Sequence, residues 1–295
     1  MRKRARVIYN PTSGREQMER QVPYILDRME QAGYETSAFM TRGEGDARAE
    51  ARRASEDRFE AVIAAGGDGT IFEVINGIAE QEWRPKVGLI PAGTTNDFAR
   101  ALGLQGKEMK TVCDVVARGR TQGIDVGKAN GSYFINIAAG GKLTELTYDT
   151  PKGLKTALGQ AAYFIKGFEK FWSLQPQMTT VKYDGKVLEE EITMFLVSNT
   201  NSVGGFEKLL PQAEYNDGYF DVLIVQKMTM FEFSQLLRQA VRGKHLENPK
   251  IKYFKAKQLH IEARGDMQLN LDGEYGGHLP TSFENLHQHI ELFCP

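Results

Sequence analysis

The chain has 295 residues, with 37 Lys and Arg against 38 Asp and Glu and a formal net charge of −1. That length suits one large domain or two ordinary ones of roughly 100–200 residues, and the even charge balance excludes binding to nucleic acid through overall positive charge. Hydrophobic residues make up 41% and charged residues 25%, a soluble globular composition, and no apolar run approaches the roughly 20 residues of a spanning helix. The basic start Met1-Arg2-Lys3-Arg4-Ala5-Arg6 leads only into a strand-length apolar stretch, which is not the h-region of a signal peptide. Cys113 and Cys294 share no metal-ligand spacing and suit a reducing compartment. These features predict a cytoplasmic protein.

In chain order, the first 120 or so residues alternate strand and helix patterns. Ala5–Tyr9, Thr36–Met40, Ala61–Ala65 and Val87–Pro91 are short apolar or β-branched runs, each closed by Gly, Pro, Asn or Thr. Between the first two, Met18, Val22, Ile25, Leu26 and Met29 share one helical face, with Gly33 at the position of a C-terminal cap. Pro23 lies inside that pattern and predicts a kink or a later start. Alternating β and α units imply an α/β domain with a parallel sheet, which binds ligands at the C-terminal ends of its strands.

The second half changes character. Met178–Tyr183 and Lys186–Leu188 flank Asp184-Gly185, a hairpin signal. Strand-like runs follow at Ile192–Ser198, Tyr219–Val225, Gln258–Ala263 and Met267–Leu271, the last closed by a second such turn, Asp272-Gly273. Helical patterns cover Leu154–Trp172 and Phe231–Val241. The expectation is a nucleotide-binding α/β domain over residues 1–123 and a largely antiparallel β domain over 124–282, with about 283–295 returning to the first.

Three loops in the first half each follow a predicted strand and lead into a helical pattern. They are Asn10-Pro11-Thr12-Ser13-Gly14, Gly66-Gly67-Asp68-Gly69-Thr70 and Pro91-Ala92-Gly93-Thr94-Thr95-Asn96-Asp97. Glycine lets the backbone approach a phosphate, and N–H groups at a helix start supply donors; Ser13, Thr70 and Thr94 add hydroxyls. Three such loops at strand ends of one sheet converge on one crevice. Neither a Walker A pattern nor G-x-G-x-x-G occurs, so the phosphate site is of another design.

With NPTSG before it and PAGTTND after it, GGDGT resembles the diacylglycerol and sphingoid lipid-kinase family. Asp125-Val126-Gly127, Asn216-Asp217-Gly218-Tyr219 and Leu271-Asp272-Gly273-Glu274 match that family in the same order, and the likeness is closest to the soluble bacterial diacylglycerol kinases. GGDGT alone is shared with NAD kinases; the flanking loops carry the assignment. The resemblance implies a phosphofructokinase- or NAD-kinase-like first domain, a β-sandwich second domain and ATP bound with magnesium between them.

The implied roles fall residue by residue. Phosphoryl transfer needs a phosphate cradle, charge neutralisation and a base. Asp68, Asp97 and Asp125 are expected to hold the catalytic Mg2+, largely through water, with Asp68 and Asp125 counted among the catalytic residues. Asp97 or Asn96 also suits a helix N-cap. Glu274 is implied as the general base that takes the lipid hydroxyl proton. Nucleotide contacts are expected from Asn10, Ser13, Gly14, Thr41, Gly66, Gly67, Gly69, Thr70, Gly93, Thr94 and Asn96, with Glu73 one turn into the helix. Phe72 departs from the family, where Asn is common. Asp217 and Tyr219 resemble a second, structural magnesium site in which Asn216 replaces a frequent aspartate.

Leu154–Trp172 interleaves aromatic residues with Lys155, Lys166 and Lys170, a pattern that suits either a bilayer interface or a helix packed on the β domain. Arg15 and Lys166 are the expected contacts with an anionic phospholipid surface. Lys244, Lys250, Lys252, Lys255 and Lys257 read as a solvated basic face. The expected reaction phosphorylates diacylglycerol to phosphatidic acid at the inner face of the membrane. The expected enzyme is a homodimer, cytoplasmic and reversibly attached to that membrane. The alternatives are an NAD kinase and a non-catalytic lipid-binding protein of the same fold.

Overall fold

The computed structural model describes residues 3–16, 18–93, 95–141, 176–202 and 209–295. Strands β1 (Lys3–Tyr9), β2 (Tyr34–Met40), β3 (Ala61–Gly66) and β4 (Lys86–Pro91) form a parallel sheet in the order β2-β1-β3-β4. Every residue of β3, Ala-Val-Ile-Ala-Ala-Gly, is buried, as expected of a strand covered on both faces. The crossovers are helical: α1 (Ser13–Glu16), α2 (Met18–Gln31), α3 (Asp46–Glu56), α4 (Asp68–Ile78), α5 (Asp97–Ala101) and α6 (Met109–Arg118). Helix α2 buries Met18, Val22, Ile25 and Met29, the face its periodicity predicts. Pro23 lies within the helix without ending it; it only withholds a donor from the carbonyl one turn back.

The remaining strands are β5 (Thr121–Ala129), β6 (Ser132–Phe134), β7 (Ile137–Gly140), β8 (Gln177–Tyr183), β9 (Lys186–Ser198), β10 (Phe220–Gln226), β11 (Ile251–Ala256), β12 (Gln258–Ala263), β13 (Gln268–Leu271), β14 (Glu274–His278) and β15 (Thr281–Phe293), with helix α7 (Met230–Val241) after β10. Their pairings with one another are antiparallel. The hairpin residues Asp184, Gly185, Asp272 and Gly273 all have positive φ, the conformation that two-residue turns require. Helix α7 starts with a capping box between Thr229 and Glu232.

Two runs read separately in the sequence, Lys186–Leu188 and Ile192–Ser198, form one 13-residue strand through Glu189-Glu190-Glu191. The acidic stretch tolerates this because its half of β9 lies toward solvent. Lys252 and Lys255 of the lysine-rich run lie on β11, paired with β10, with Lys252 exposed. Strand β15 pairs with β12 at its start, β5 along its length and β4, in parallel, at Leu292. Phe283 therefore packs in the β-domain core, while Ile290, Leu292 and Phe293 pack in the α/β core. Both cysteines are free and buried. Among the described residues no helix is long and apolar enough to cross a membrane. The expected helix over Leu154–Trp172, and Lys166 with it, lies outside the described residues.

Candidate active site

The three glycine-containing loops meet at the C-terminal end of the parallel sheet. Asn10 accepts hydrogen bonds at Oδ1 from the backbone N–H and the hydroxyl of Thr12, at 3.0 and 2.9 Å, which folds the first loop back on itself. The second and third loops touch backbone to backbone: a Cβ on Gly93 would come within 2.8 Å of the Gly67 Cα. Only glycine fits so close an approach. A cleft of about 270 Å³ opens here. Asn10 and Ser13 line one side, Gly67, Gly69 and Thr70 the floor, and Thr41, Gly43, Glu44, Ala47 and Glu73 the far wall. Gly14, at φ 65°, turns the first loop beside Ala92, 3.5 Å from where its Cβ would be. Gly66 makes room for Thr70, whose Oγ1 lies 2.3 Å from where a Gly66 Cβ would stand.

Asp68 opens helix α4 and braces the third loop. Its Oδ2 accepts from the Asn96 N–H at 2.9 Å and its Oδ1 from the Asp97 N–H at 3.0 Å. Burial and the neighbouring Asp97 push its pKa up to about 6. Two carboxylates held near one another are a donor pair of the kind that suits a divalent cation. Asp97 Oδ1 also accepts from the Ser202 hydroxyl at 3.0 Å, a link from the α/β domain to the β domain.

Glu274 reaches the same place from the other domain. A Cβ on Gly69 would stand 3.2 Å from Glu274 Oε1. Burial first, then the charges of Glu44 and Glu73, raise the pKa of this carboxyl. Its approach is fixed by Asp272, whose carboxylate accepts from three successive backbone N–H groups, those of Ile135 at 2.7 Å, Asn136 at 2.9 Å and Ile137 at 2.7 Å. Burial pushes the Asp272 pKa up to about 7, with Asp68 adding to the shift.

Several predicted site residues serve otherwise than their sequence positions suggest. Asp125 is 1% exposed and is not among the residues lining the cleft. Its carboxylate accepts from Gly218 N–H at 2.6 Å and Gln288 N–H at 2.8 Å, and pairs with His287 Nδ1 at 2.9 Å. Where β15 bulges against β5, the carboxylate ties β5 to β15 and to the bend at Gly218. Asn96 forms no side-chain N-cap to α5. Its amide accepts from Gly93 N–H at 2.8 Å and donates to Gly93 O at 2.7 Å, so it shapes the loop rather than offering itself to a ligand. Glu73 lines the cleft, yet its carboxylate accepts from Gly45, Ala47 and Arg48 N–H groups at 2.9–3.3 Å, capping helix α3 from outside.

The expected structural magnesium site is also differently furnished. Asp217 accepts from the Tyr219 N–H at 2.9 Å and from Lys255 Nζ at 2.6 Å. Lys255 lies 3.6 Å from the buried Asp221 as well. The Asp217 carboxylate is thus paired with a lysine ammonium in this structure. Tyr219 faces Lys257, whose ammonium stands 4.9 Å from the ring centre. Thr94 and the Arg15 side chain lie outside the described residues. Sequence reading missed Glu44 and the employment of Asp272; the glycines flanking Glu44, just past the second strand, were the signal for the former.

A parallel-sheet domain presenting phosphate loops, closed by a β domain that inserts a carboxylate among them, defines a two-domain phosphotransferase. Residues 4–129 match the family model of the diacylglycerol kinase catalytic domain, and residues 148–294 that of the YegS C-terminal NAD kinase beta sandwich-like domain. A Staphylococcus epidermidis protein named diacylglycerol kinase is 52% identical over 295 residues, all of this chain and 93% of its own. One from Bacillus subtilis strain 168 is 52% identical over 293 residues, 99% of this chain and 97% of its own. The crystal structure of a diacylglycerol kinase from Bacillus anthracis str. Sterne superposes with a TM-score of 0.84 at 28% identity, covering all of this chain and 98% of that one. The chain belongs to the diacylglycerol kinase family and is a lipid kinase, with an α/β domain followed by a β-sandwich.

Proposed function

We propose that the enzyme transfers the γ-phosphoryl group of ATP to the free hydroxyl of diacylglycerol, giving phosphatidic acid at a membrane surface. The observation that carries this reading is the meeting of Glu274, from the β domain, with Gly69 of the phosphate loop. A nucleotide seated along Asn10, Ser13, Gly67 and Thr70 presents its terminal phosphate to that junction. Glu274 accepts the proton of the attacking hydroxyl; its raised pKa makes it a better base than an exposed carboxylate. Asp68 and Asp97 suit a magnesium ion held largely through water, which neutralises the phosphate charge when bound. The names of the relatives support diacylglycerol as acceptor. A peripheral, reversible association with anionic membrane, a homodimeric assembly and a role in phospholipid biosynthesis complete the proposal.

The test is transfer of label from γ-labelled ATP to mixed micelles containing diacylglycerol, with NAD as a competing acceptor. Labelled phosphatidic acid is the expected product, dependent on magnesium and enhanced by anionic phospholipid. Label on NAD, or on a different lipid alone, overturns the acceptor assignment.

A further inference from the structure

The proposed chemistry places Glu274, carried by the β domain, against Gly69, carried by the α/β domain. We propose that Asn76 is the positioning residue that fixes this relation, by clamping the backbone of Tyr133 to helix α4. The inference rests on the kinase reading of Glu274 given above.

Asn76 sits two turns beyond Gly69 on the same helix, about 10 Å along its axis, and is 5% exposed. Its Oδ1 accepts from the Tyr133 N–H at 2.8 Å, and its Nδ2 donates to the Tyr133 carbonyl at 2.8 Å and to the Phe72 carbonyl at 2.9 Å. Among the described residues strand β6, which holds Tyr133, pairs only with β5. The Asn76 amide therefore acts as one residue of a neighbouring strand, satisfying the backbone groups that an edge leaves open. Two residues further on, the amides of Ile135, Asn136 and Ile137 grip the Asp272 carboxylate, and Asp272 N–H in turn donates to the Ile137 carbonyl at 2.8 Å. Two residues beyond Asp272 stands Glu274, back at the first turn of α4.

The circuit is closed. Helix α4 presents the phosphate loop at one end and holds, at the other, the strap that carries the base. Phe72, between the two points in sequence, packs against the β-domain core. A buried polar bridge of this kind fixes a geometry rather than merely adding stability, because it is satisfied from both sides at once by one side-chain amide. Loss of the Asn76 amide leaves the nucleotide cleft intact, since neither Asn76 nor Tyr133 lines it. It frees the strap to shift, and displacement of the base by about 1 Å costs on the order of 10²-fold in rate.

The experiment compares the full-length enzyme with Asn76→Ala and the milder Asn76→Ser, using labelled ATP and diacylglycerol micelles at a temperature where all are folded. The expected result is a fall in kcat of tenfold or more for Asn76→Ala, with KM for ATP within twofold. Asp272→Asn, at the other end of the strap, should give a similar split, and the double variant should be no worse than the poorer single one. Hydrogen exchange at Ile135–Ile137 should quicken in Asn76→Ala, a readout independent of activity. Unchanged kcat in a folded Asn76 variant, multiplying losses in the double variant, or unaltered exchange would each overturn the clamp. No transfer by the unsubstituted enzyme would instead remove the kinase reading beneath it.

Discussion

Glu274 and Asp68 are both carboxylates beside the phosphate loop, but their surroundings give them different work. Glu274 has neighbours that repel its charge, whereas Asp68 is held by two backbone donors. Replacing Glu274 with Gln keeps the shape and removes the base. We expect kcat to drop by about 10²–10⁴-fold with little change in KM for ATP, measured by steady-state phosphoryl transfer. Because the Glu274 pKa is raised, the acid limb of the kcat profile should lie above the ordinary carboxylate range. Asp68 makes a separate prediction. With its pKa at about 6, protons compete with magnesium below that pH, so magnesium affinity should fall as pH drops from 7 to 5. Calorimetric titration in buffers of different ionisation enthalpy should show a proton released on binding near pH 5 and almost none at pH 8. Equal affinity at both pH values would remove Asp68 from the metal site.

At the scale of elements, helices α3 and α4 form the far wall of the cleft together. Gly77 allows it: a Cβ there would fall 2.4 Å from the Arg48 carbonyl and 2.8 Å from the Ala51 Cβ. Glu73 of α4 then caps the start of α3, whose own N-cap residue, Gly45, has no side chain to do so. Glu73→Ala should destabilise the protein by about 1 kcal/mol, seen as a lower Tm. It should also move the acid limb of kcat downward, since one repelling charge near Glu274 is gone. The parallel strands, the hairpins at Asp184 and Asp272 and the three loops were legible in the sequence because each has a local cause, an apolar run or a required positive φ. Asp125, Asn96 and Glu73 were not. A carboxylate or amide beside a glycine reads the same whether it faces a ligand or closes a loop, and only the position of Gly218, Gly93 or Ala47 in space decides. Asn76 and Gly77, a pair of residue types common in turns, are kept inside helix α4 beside partners far away in sequence.

For the whole molecule the decisive element is β15, which closes both domains. A chain of two domains joined only by linkers commonly unfolds in two steps. Here Phe283 belongs to the β-domain core and Phe293, ten positions later on the same strand, to the core of the α/β domain. The Asp97–Ser202 bond, the Asn76–Tyr133 bridge and Phe72 add contacts across the same boundary. Loosening one end of β15 must therefore loosen the other. Phe293 is 1% exposed, and Phe293→Ala should cost about 3–5 kcal/mol through the cavity it leaves. Although the lost side chain sits in the α/β core, the loss should lower a single calorimetric transition that both halves share. Deletion of residues 281–295 should abolish that transition, because β4 and β12 each then lose one of their two neighbouring strands and β5 loses its long partner. A variant that melts in two separated steps, with the β domain keeping its original Tm, would show that the domains are stable independently and that β15 only bridges them.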